Sequence, residues 1–80
     1  MATQTDTHLA GVIGANIARG REAKGITQQQ LATELQTSTS RVSGWERGKH
    51  LPARRKHGRL AELLFDGDVS ALYRETEKAA

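Results

Sequence analysis

The sequence contains no cysteine, and in a chain of 80 residues this absence sets a strict requirement on the fold. Two independently folding units would each fall near the size, about 40 residues, below which disulfides or metals are usually needed. Without disulfides or thiolate zinc sites, stability has to come from the packing of apolar side chains. We therefore expect one small domain with a single apolar core.

The composition favours a soluble protein, since 36% of the residues are apolar and 26% are charged. No window approaches the run of about 18 apolar residues that a bilayer span requires. The start of the chain lacks the basic and apolar regions of a signal peptide, so we expect a cytoplasmic protein without a membrane partner. Residues 1–8 are polar and are expected to form a flexible N-terminal leader, followed by a folded domain at residues 9–80.

Apolar residues recur at helical spacing along the chain, and no segment alternates with a period of two, so the pattern predicts an all-α fold with five helices. Leu9, Ile13 and Ile17 recur every four positions and mark one face of a first helix. This helix is expected to continue through Lys24 and to end where Gly25 offers a left-handed cap.

Two short helices follow, and their starts are marked by capping residues. Thr27 and Gln30 have the spacing of a capping box for a helix at 28–35. Ser38 can cap a further helix at 39–47 in the same way. Helices this short, separated by about three residues, have to cross steeply, which is the arrangement of a helix-turn-helix.

The C-terminal third predicts two more helices. Leu60, Leu63 and Leu64 share one face of a fourth helix. Asp68 is expected to cap a fifth helix. The apolar or inward face of that fifth helix follows the helical spacing at four positions: Val69, Leu72, Tyr73 and Thr76.

Positive charge is concentrated in the middle of the chain, although the net charge is only +3. Residues 41–59 contain seven lysines and arginines but only one glutamate. These cations are Arg41, Arg47, Lys49, Arg54, Arg55, Lys56 and Arg59. Such a cationic block is typical of a surface that binds a polyanion, and an acidic membrane face or a solvated loop are the alternatives.

Two motifs carry a resemblance to a known family. The segments TQQQLA at 27–32 and VSGWERGK at 42–49, with Pro52 after them, resemble the phage repressor/Cro family of helix-turn-helix regulators. The resemblance is close over 13–52 and loose over 53–73. It implies an all-α, compact five-helix, lambda-repressor-like domain in which helices two and three form the helix-turn-helix, with double-stranded DNA as the partner.

The resemblance also implies which side chains meet base edges in the major groove. Hydroxyls can donate or accept there, and arginine can bind guanine in a bidentate manner. These positions are Thr39, Ser40, Arg41 and Ser43. Arg41 binds guanine if it points into the groove and clamps a phosphate if it points sideways, and these two roles stay open. A solvated surface arginine is the third, lesser alternative. Gly44 stands where several relatives have a long polar side chain, so that base contact can be missing.

Other residues match positions that contact the DNA backbone in the family. They are Gln28, Ser38, Arg47, Lys49, Arg54 and Arg55. Arginine is attracted to narrow A·T-rich minor grooves, and Arg54 is slightly favoured over Arg55 for that role. His50 and His57 can be bystanders.

Three residues are expected to be structural. The resemblance implies an ion pair in which Arg21 of the first helix binds Glu46 of the third. Trp45 is expected in the core. Gly20 stands where relatives generally have leucine on the inner face of the first helix, so a void is expected there unless Trp45 leans into it. Gln36 occupies a turn position that relatives give to glycine, so its backbone is expected to have a mildly strained positive φ.

These expectations favour a sequence-specific transcriptional repressor that inserts helix 39–47 into the major groove of a pseudo-palindromic operator. A homodimer is expected on DNA, with contacts from Leu72 and Tyr73 among the candidates. Two alternatives share the fold. They are an antitoxin-type autorepressor that also binds a toxin, and a protein-interaction module that does not read DNA.

An enzyme is not expected. The sequence has no cysteine nucleophile, HExxH motif or glycine-rich phosphate loop. Ser40, His50 and Asp66 are scattered among turns and caps in no pattern that predicts a triad. His50 and His57 are a weak metal signal, so neither a metal nor a cofactor is expected.

Overall fold

The computed structural model describes residues 4–75, and within this range the chain is helical, without a β-strand. A 3-10 turn at Arg54–Lys56 joins the third helix to the fourth. The α-helices are α1 (Gln4–Ala23), α2 (Gln28–Glu34), α3 (Thr39–Glu46), α4 (His57–Leu64) and α5 (Ser70–Tyr73). The expected all-α, five-helix fold is thus confirmed.

Side-chain caps fix the start of both short helices. The Thr27 hydroxyl accepts a hydrogen bond from the backbone N–H of Gln30 at 3.0 Å, and the Gln30 side chain accepts one from the Thr27 N–H at 2.8 Å. The Ser38 hydroxyl accepts from the backbone N–H of Arg41 at 3.1 Å. Because these caps satisfy otherwise unpaired N–H groups, α2 and α3 begin at the residues that the sequence predicts.

Both helices end in left-handed caps. Gln36 has φ 57° and Gly48 has φ 73°. After α2, the N–H of Thr37 donates to the carbonyl of Ala32 at 2.9 Å, which closes a Schellman motif. The positive φ expected for Gln36 is therefore confirmed, and the turn keeps its hydrogen bonds without glycine.

The first helix is longer than predicted. It begins at Gln4 rather than at Leu9. Residues 4–8 lack an apolar repeat, but each residue added to an existing helix gains a backbone hydrogen bond, so the helix extends past its apolar stripe. Residues 1–3 of the expected leader lie outside the described residues, and the division into leader and domain stays a prediction.

The core combines residues from all five helices. Trp45 is buried, as is Leu72, which is 0% exposed. Leu72 therefore packs in the core and is not available for the dimer contact that the sequence suggested, whereas Tyr73 is 41% exposed. The other large apolar residues of the cluster are Ile13, Ile17, Leu31, Leu35, Val42, Leu60 and Leu64.

The space beside Gly20 is filled by Phe65. An added Cβ at Gly20 would lie 2.7 Å from Cε1 of Phe65 and 3.1 Å from Cβ of Leu64. The void expected at Gly20 is therefore avoided, and the residue that fills the space is Phe65, which follows α4, rather than Trp45.

The fifth helix is a single turn held at both ends. Asp68 accepts hydrogen bonds from the backbone N–H of Ser70 at 3.1 Å and from its hydroxyl at 2.6 Å. This hydroxyl lowers the pKa of the Asp68 carboxyl from its ordinary value. At the other end, the buried amide of Asn16 donates to the carbonyls of Leu72 at 2.8 Å and Arg74 at 2.9 Å. Thr76, expected on the same helix, lies outside the described residues.

Candidate nucleic-acid interface

The outer face of α3 is short and polar. With 3.6 residues per turn, Ser40, Ser43, Gly44 and Arg47 fall on one side of the helix, opposite the buried Val42. Ser40 and Arg47 are exposed, and Ser43 is half-buried. This side can therefore enter a groove with small hydroxyls at its centre, as the sequence predicts.

Thr39 and Arg41 lie on the two flanks of the same helix, and both are exposed. Arg41 and Arg55 both line a cleft of about 240 Å³ between α3 and the loop that follows it. Gln36 and Thr37 of the turn after α2 also line this cleft. Two guanidinium groups on one cleft suit an anion that passes beside the helix, such as a DNA phosphate.

The cationic side chains divide into two groups. Within residues 4–75, five of them have no hydrogen-bond or ion-pair partner: Arg41, Arg47, Lys49, Arg54 and Arg55. The remaining six all make such interactions: Arg19, Arg21, Lys24, Lys56, Arg59 and Arg74. The unpartnered group belongs to α3 and the loop that follows it, so the positive charge that is free to bind an anion is concentrated around that helix.

Lys56 is part of the cationic block but has an internal role. Its ammonium donates to the carbonyl of Leu35, the last residue of the α2 turn, at 3.0 Å. A cation at the C-terminus of a helix satisfies a free carbonyl and interacts favourably with the helix dipole. Lys56 therefore fixes the loop to α2 and leaves the neighbouring arginines to face solvent.

A buried ion pair holds the end of α3. Arg21 donates to the Glu46 carboxylate from Nε at 2.6 Å and from a terminal nitrogen at 3.2 Å, the bidentate pairing that the resemblance implies. Only 14% of the Arg21 side chain and 8% of the Glu46 side chain are exposed. The hydrogen bond to Glu46 and its negative charge raise the pKa of the Arg21 guanidinium above its ordinary value.

Gln28 joins this pair rather than standing free. Its amide nitrogen donates to a carboxylate oxygen of Glu46 at 2.9 Å, and the residue is half-buried. A side-chain amide carries two N–H donors, so the bond to Glu46 leaves one for another acceptor. The sequence places Gln28 correctly at the start of α2 but gives no sign of its contact with Glu46.

The two histidines of the block have different surroundings. His57 is held between the Tyr73 hydroxyl, 2.7 Å from Nδ1, and the Pro52 carbonyl, 3.1 Å from Nε2. His50 is exposed, and its ring lies over Gly44 on the outer face of α3. The sequence spacing does not reveal this second contact, because it depends on the path of the chain after Gly48.

No group of three metal-ligating side chains occurs in the part of the chain that the structure describes. Nor is any helix there long and apolar enough to cross a membrane.

The packed pair α2–α3, with its capped turns and polar outer face, defines a helix-turn-helix domain. A family model described as helix-turn-helix matches residues 17–65, which contain both of these helices. The chain therefore belongs to the helix-turn-helix family, a family of DNA-binding regulators.

Curated relatives match a similar length of the chain. It is 33% identical over 52 residues to endothelial differentiation-related factor 1 of Rattus norvegicus and of Mus musculus, a match that covers 65% of this chain and 35% of each relative. The Xenopus laevis homolog of this factor is 31% identical over the same number of residues. The chain thus spans about a third of the length of these relatives. No solved structure matches it.

Proposed function

We propose that the protein is a sequence-specific transcriptional repressor that inserts α3 into the major groove of double-stranded DNA. The observation that carries the proposal is the division of its cationic side chains into a group with partners and a group without. The five that have no partner within residues 4–75 belong to α3 and the loop after it, and the other six are engaged. Unneutralised cations around a polar helix attract the phosphates that border a groove.

Base readout is assigned to the residues at the start and centre of α3. Thr39, Ser40 and Ser43 present hydroxyls that can donate to or accept from base edges. Arg41 is the fourth candidate. Its position beside Arg55 favours the phosphate role, and its length still permits a guanine contact from the flank of the helix.

Contacts with the DNA backbone are assigned to residues around this helix. Arg47 and Lys49 stand at its C-terminal end, and Arg54 and Arg55 stand on the loop beyond it. At the other end, Ser38 and Gln28 lie at the starts of α3 and α2, where free backbone N–H groups favour an anion. The second amide proton of Gln28 supplies its phosphate contact, since Glu46 takes the first.

The protein is proposed to act in the cytoplasm as a homodimer on a pseudo-palindromic site, with the two recognition helices about 34 Å apart in successive major grooves. Tyr73 is the remaining candidate for the dimer contact, because its ring is exposed while Leu72 is buried. Occupation of a promoter by such a dimer would exclude polymerase, which is the simplest route to repression.

Fluorescence anisotropy with random duplex DNA at two salt concentrations tests DNA binding. Binding that weakens steeply with salt is expected, because each neutralised phosphate releases counterions. The matched variants are Arg47→Ala, which removes an unpartnered cation, and Arg59→Ala, which removes a cation already paired with Glu34 and Glu62. Loss of affinity in the first but not the second is the expected result. Salt-insensitive or absent binding contradicts the proposal and favours a protein-interaction module.

A further inference from the structure

Gly44 is buried although it lies on the outer face of α3. Its neighbours on this face, Ser40 and Arg47, are exposed, and Ser43 is half-buried. A glycine has no side chain to shield its own backbone, so another group must cover it.

The covering group is the imidazole of His50. A Cβ added to Gly44 would contact Nε2 of His50, would lie 2.7 Å from its Cε1 and 3.3 Å from its Cδ2. Distances below about 3 Å essentially never occur for a real Cβ, so the ring fills the space in which any larger side chain at position 44 would begin. The ring thus replaces the side chain that this position lacks.

The turn after α3 brings His50 to this place. Gly48 adopts φ 73°, and the N–H of Lys49 then donates to the carbonyl of Gly44 at 2.9 Å. This Schellman closure reverses the chain within two residues and sets the next residue beside the helix it has just left. No acidic side chain within residues 4–75 forms an ion pair with His50, and the residue is exposed.

We propose that His50 is a specificity-determining residue that reads a base edge from the position left open by Gly44. This inference rests on the proposed function, since it places the outer face of α3 in the major groove. Imidazole offers an N–H donor, and purine N7 and guanine O6 are acceptors on the major-groove edge. Gly44, which the ring covers, lies between Ser40 and Arg47 on the outer face of α3, the face proposed to meet the bases.

Two substitutions probe the site independently. His50→Ala removes the imidazole, and because the residue is exposed the core is untouched. Gly44→Ala keeps the imidazole but places a methyl group where the ring lies, so the flexible His50 side chain must move away. Gly58→Ala is the matched control, because Gly58 is also a helical glycine and an added Cβ there meets nothing within 4 Å.

The experiment is selection of binding sites from randomised duplexes by each of these proteins, with thermal melting recorded for all four. The wild-type protein and Gly58→Ala are expected to select the same motif. His50→Ala and Gly44→Ala are expected to lose discrimination at one and the same base pair by about tenfold, the size of a single good base contact.

The outcomes separate the two proposals. An unchanged motif in His50→Ala, or affinity lowered equally for all duplexes as a phosphate contact predicts, overturns the role of His50 and leaves the repressor proposal intact. A wild-type protein that selects no motif overturns both.

Discussion

The backbone carbonyl of Trp45 lies against Gly14 in the place where a side chain at position 14 would begin. An added Cβ would fall on the Trp45 oxygen, and it would lie 3.1 Å from the Glu46 carbonyl oxygen. The contact lets α1 cross the C-terminal end of α3 backbone to backbone. It also explains why α3 is held so close to the body of the domain.

Gly14→Ala is therefore expected to destabilise the protein although alanine favours helix. Since the neighbour is a backbone oxygen that cannot rotate away, the cost is expected at the upper end of overpacking, about 3 kcal/mol of unfolding free energy. Gly11→Ala, three residues earlier in the same helix, meets nothing within 4 Å and should add about 0.5–1 kcal/mol. Urea denaturation measures both, and equal stabilities would contradict the close contact.

Glu46→Ala is expected to lower the free energy of unfolding by about 3 kcal/mol, because it leaves the buried Arg21 without its bidentate partner. DNA binding should weaken indirectly, because the folded fraction falls and α3 loses this anchor. Glu22→Ala is the control, since Glu22 is 71% exposed on its side chain and lies 3.9 Å from the same arginine. An exposed pair of this kind contributes less than about 1 kcal/mol. Unchanged thermal stability in Glu46→Ala would rule out a bracing role for this pair.

Gln36→Gly is expected to stabilise the domain by about 0.5–1 kcal/mol. The substitution relieves the left-handed backbone at φ 57°, and the greater freedom of glycine in the unfolded chain offsets part of that gain. Gln29→Gly provides the contrast, because Gln29 is an exposed residue within α2 and should lose about 1 kcal/mol. Thermal melting that moves both variants in the same direction would contradict this account of the turn.

The salt dependence of DNA binding should report the number of cations that contact phosphates. If about five do so, the logarithm of the affinity falls with the logarithm of salt concentration at a slope of about −4.5. Arg54→Ala or Arg55→Ala should each make this slope shallower by about 0.9. Lys24→Ala is a suitable control, because Lys24 pairs with Asp66 at 2.9 Å in another part of the molecule. An equal change of slope in the control would show that the effect is not specific to Arg54 and Arg55, and would contradict their contact with phosphates.

The helix-turn-helix itself is predictable from sequence, because its boundaries depend on local chemistry. Thr27 and Ser38 act on N–H groups within three residues, and Gly48 supplies a left-handed cap without help from the rest of the chain. The boundaries of α2 and α3 consequently agree with the predictions to within one residue. Where no local signal exists, as at the start of α1, the prediction is off by five residues.

Tertiary contacts account for the features that the sequence does not predict. Periodicity places Leu72 and Tyr73 on one face of a helix, but the packing of α5 against α1 buries the first and exposes the second. The fit of Phe65 beside Gly20 likewise depends on where separate helices meet. The positions of the proposed base-reading residues within α3 follow from the helix register. The contact of His50 with Gly44 instead depends on a turn and on a neighbouring backbone.

Glu46 receives hydrogen bonds from Arg21 of α1 and from Gln28 of α2, so one carboxylate at the end of α3 joins three helices. A helix anchored in this way is already preorganised when a ligand arrives, and little conformational entropy is lost from it on association. The residues on the outer face of α3 make none of these hydrogen bonds. They can be exchanged during evolution to recognise new sites while the orientation of the helix is inherited unchanged.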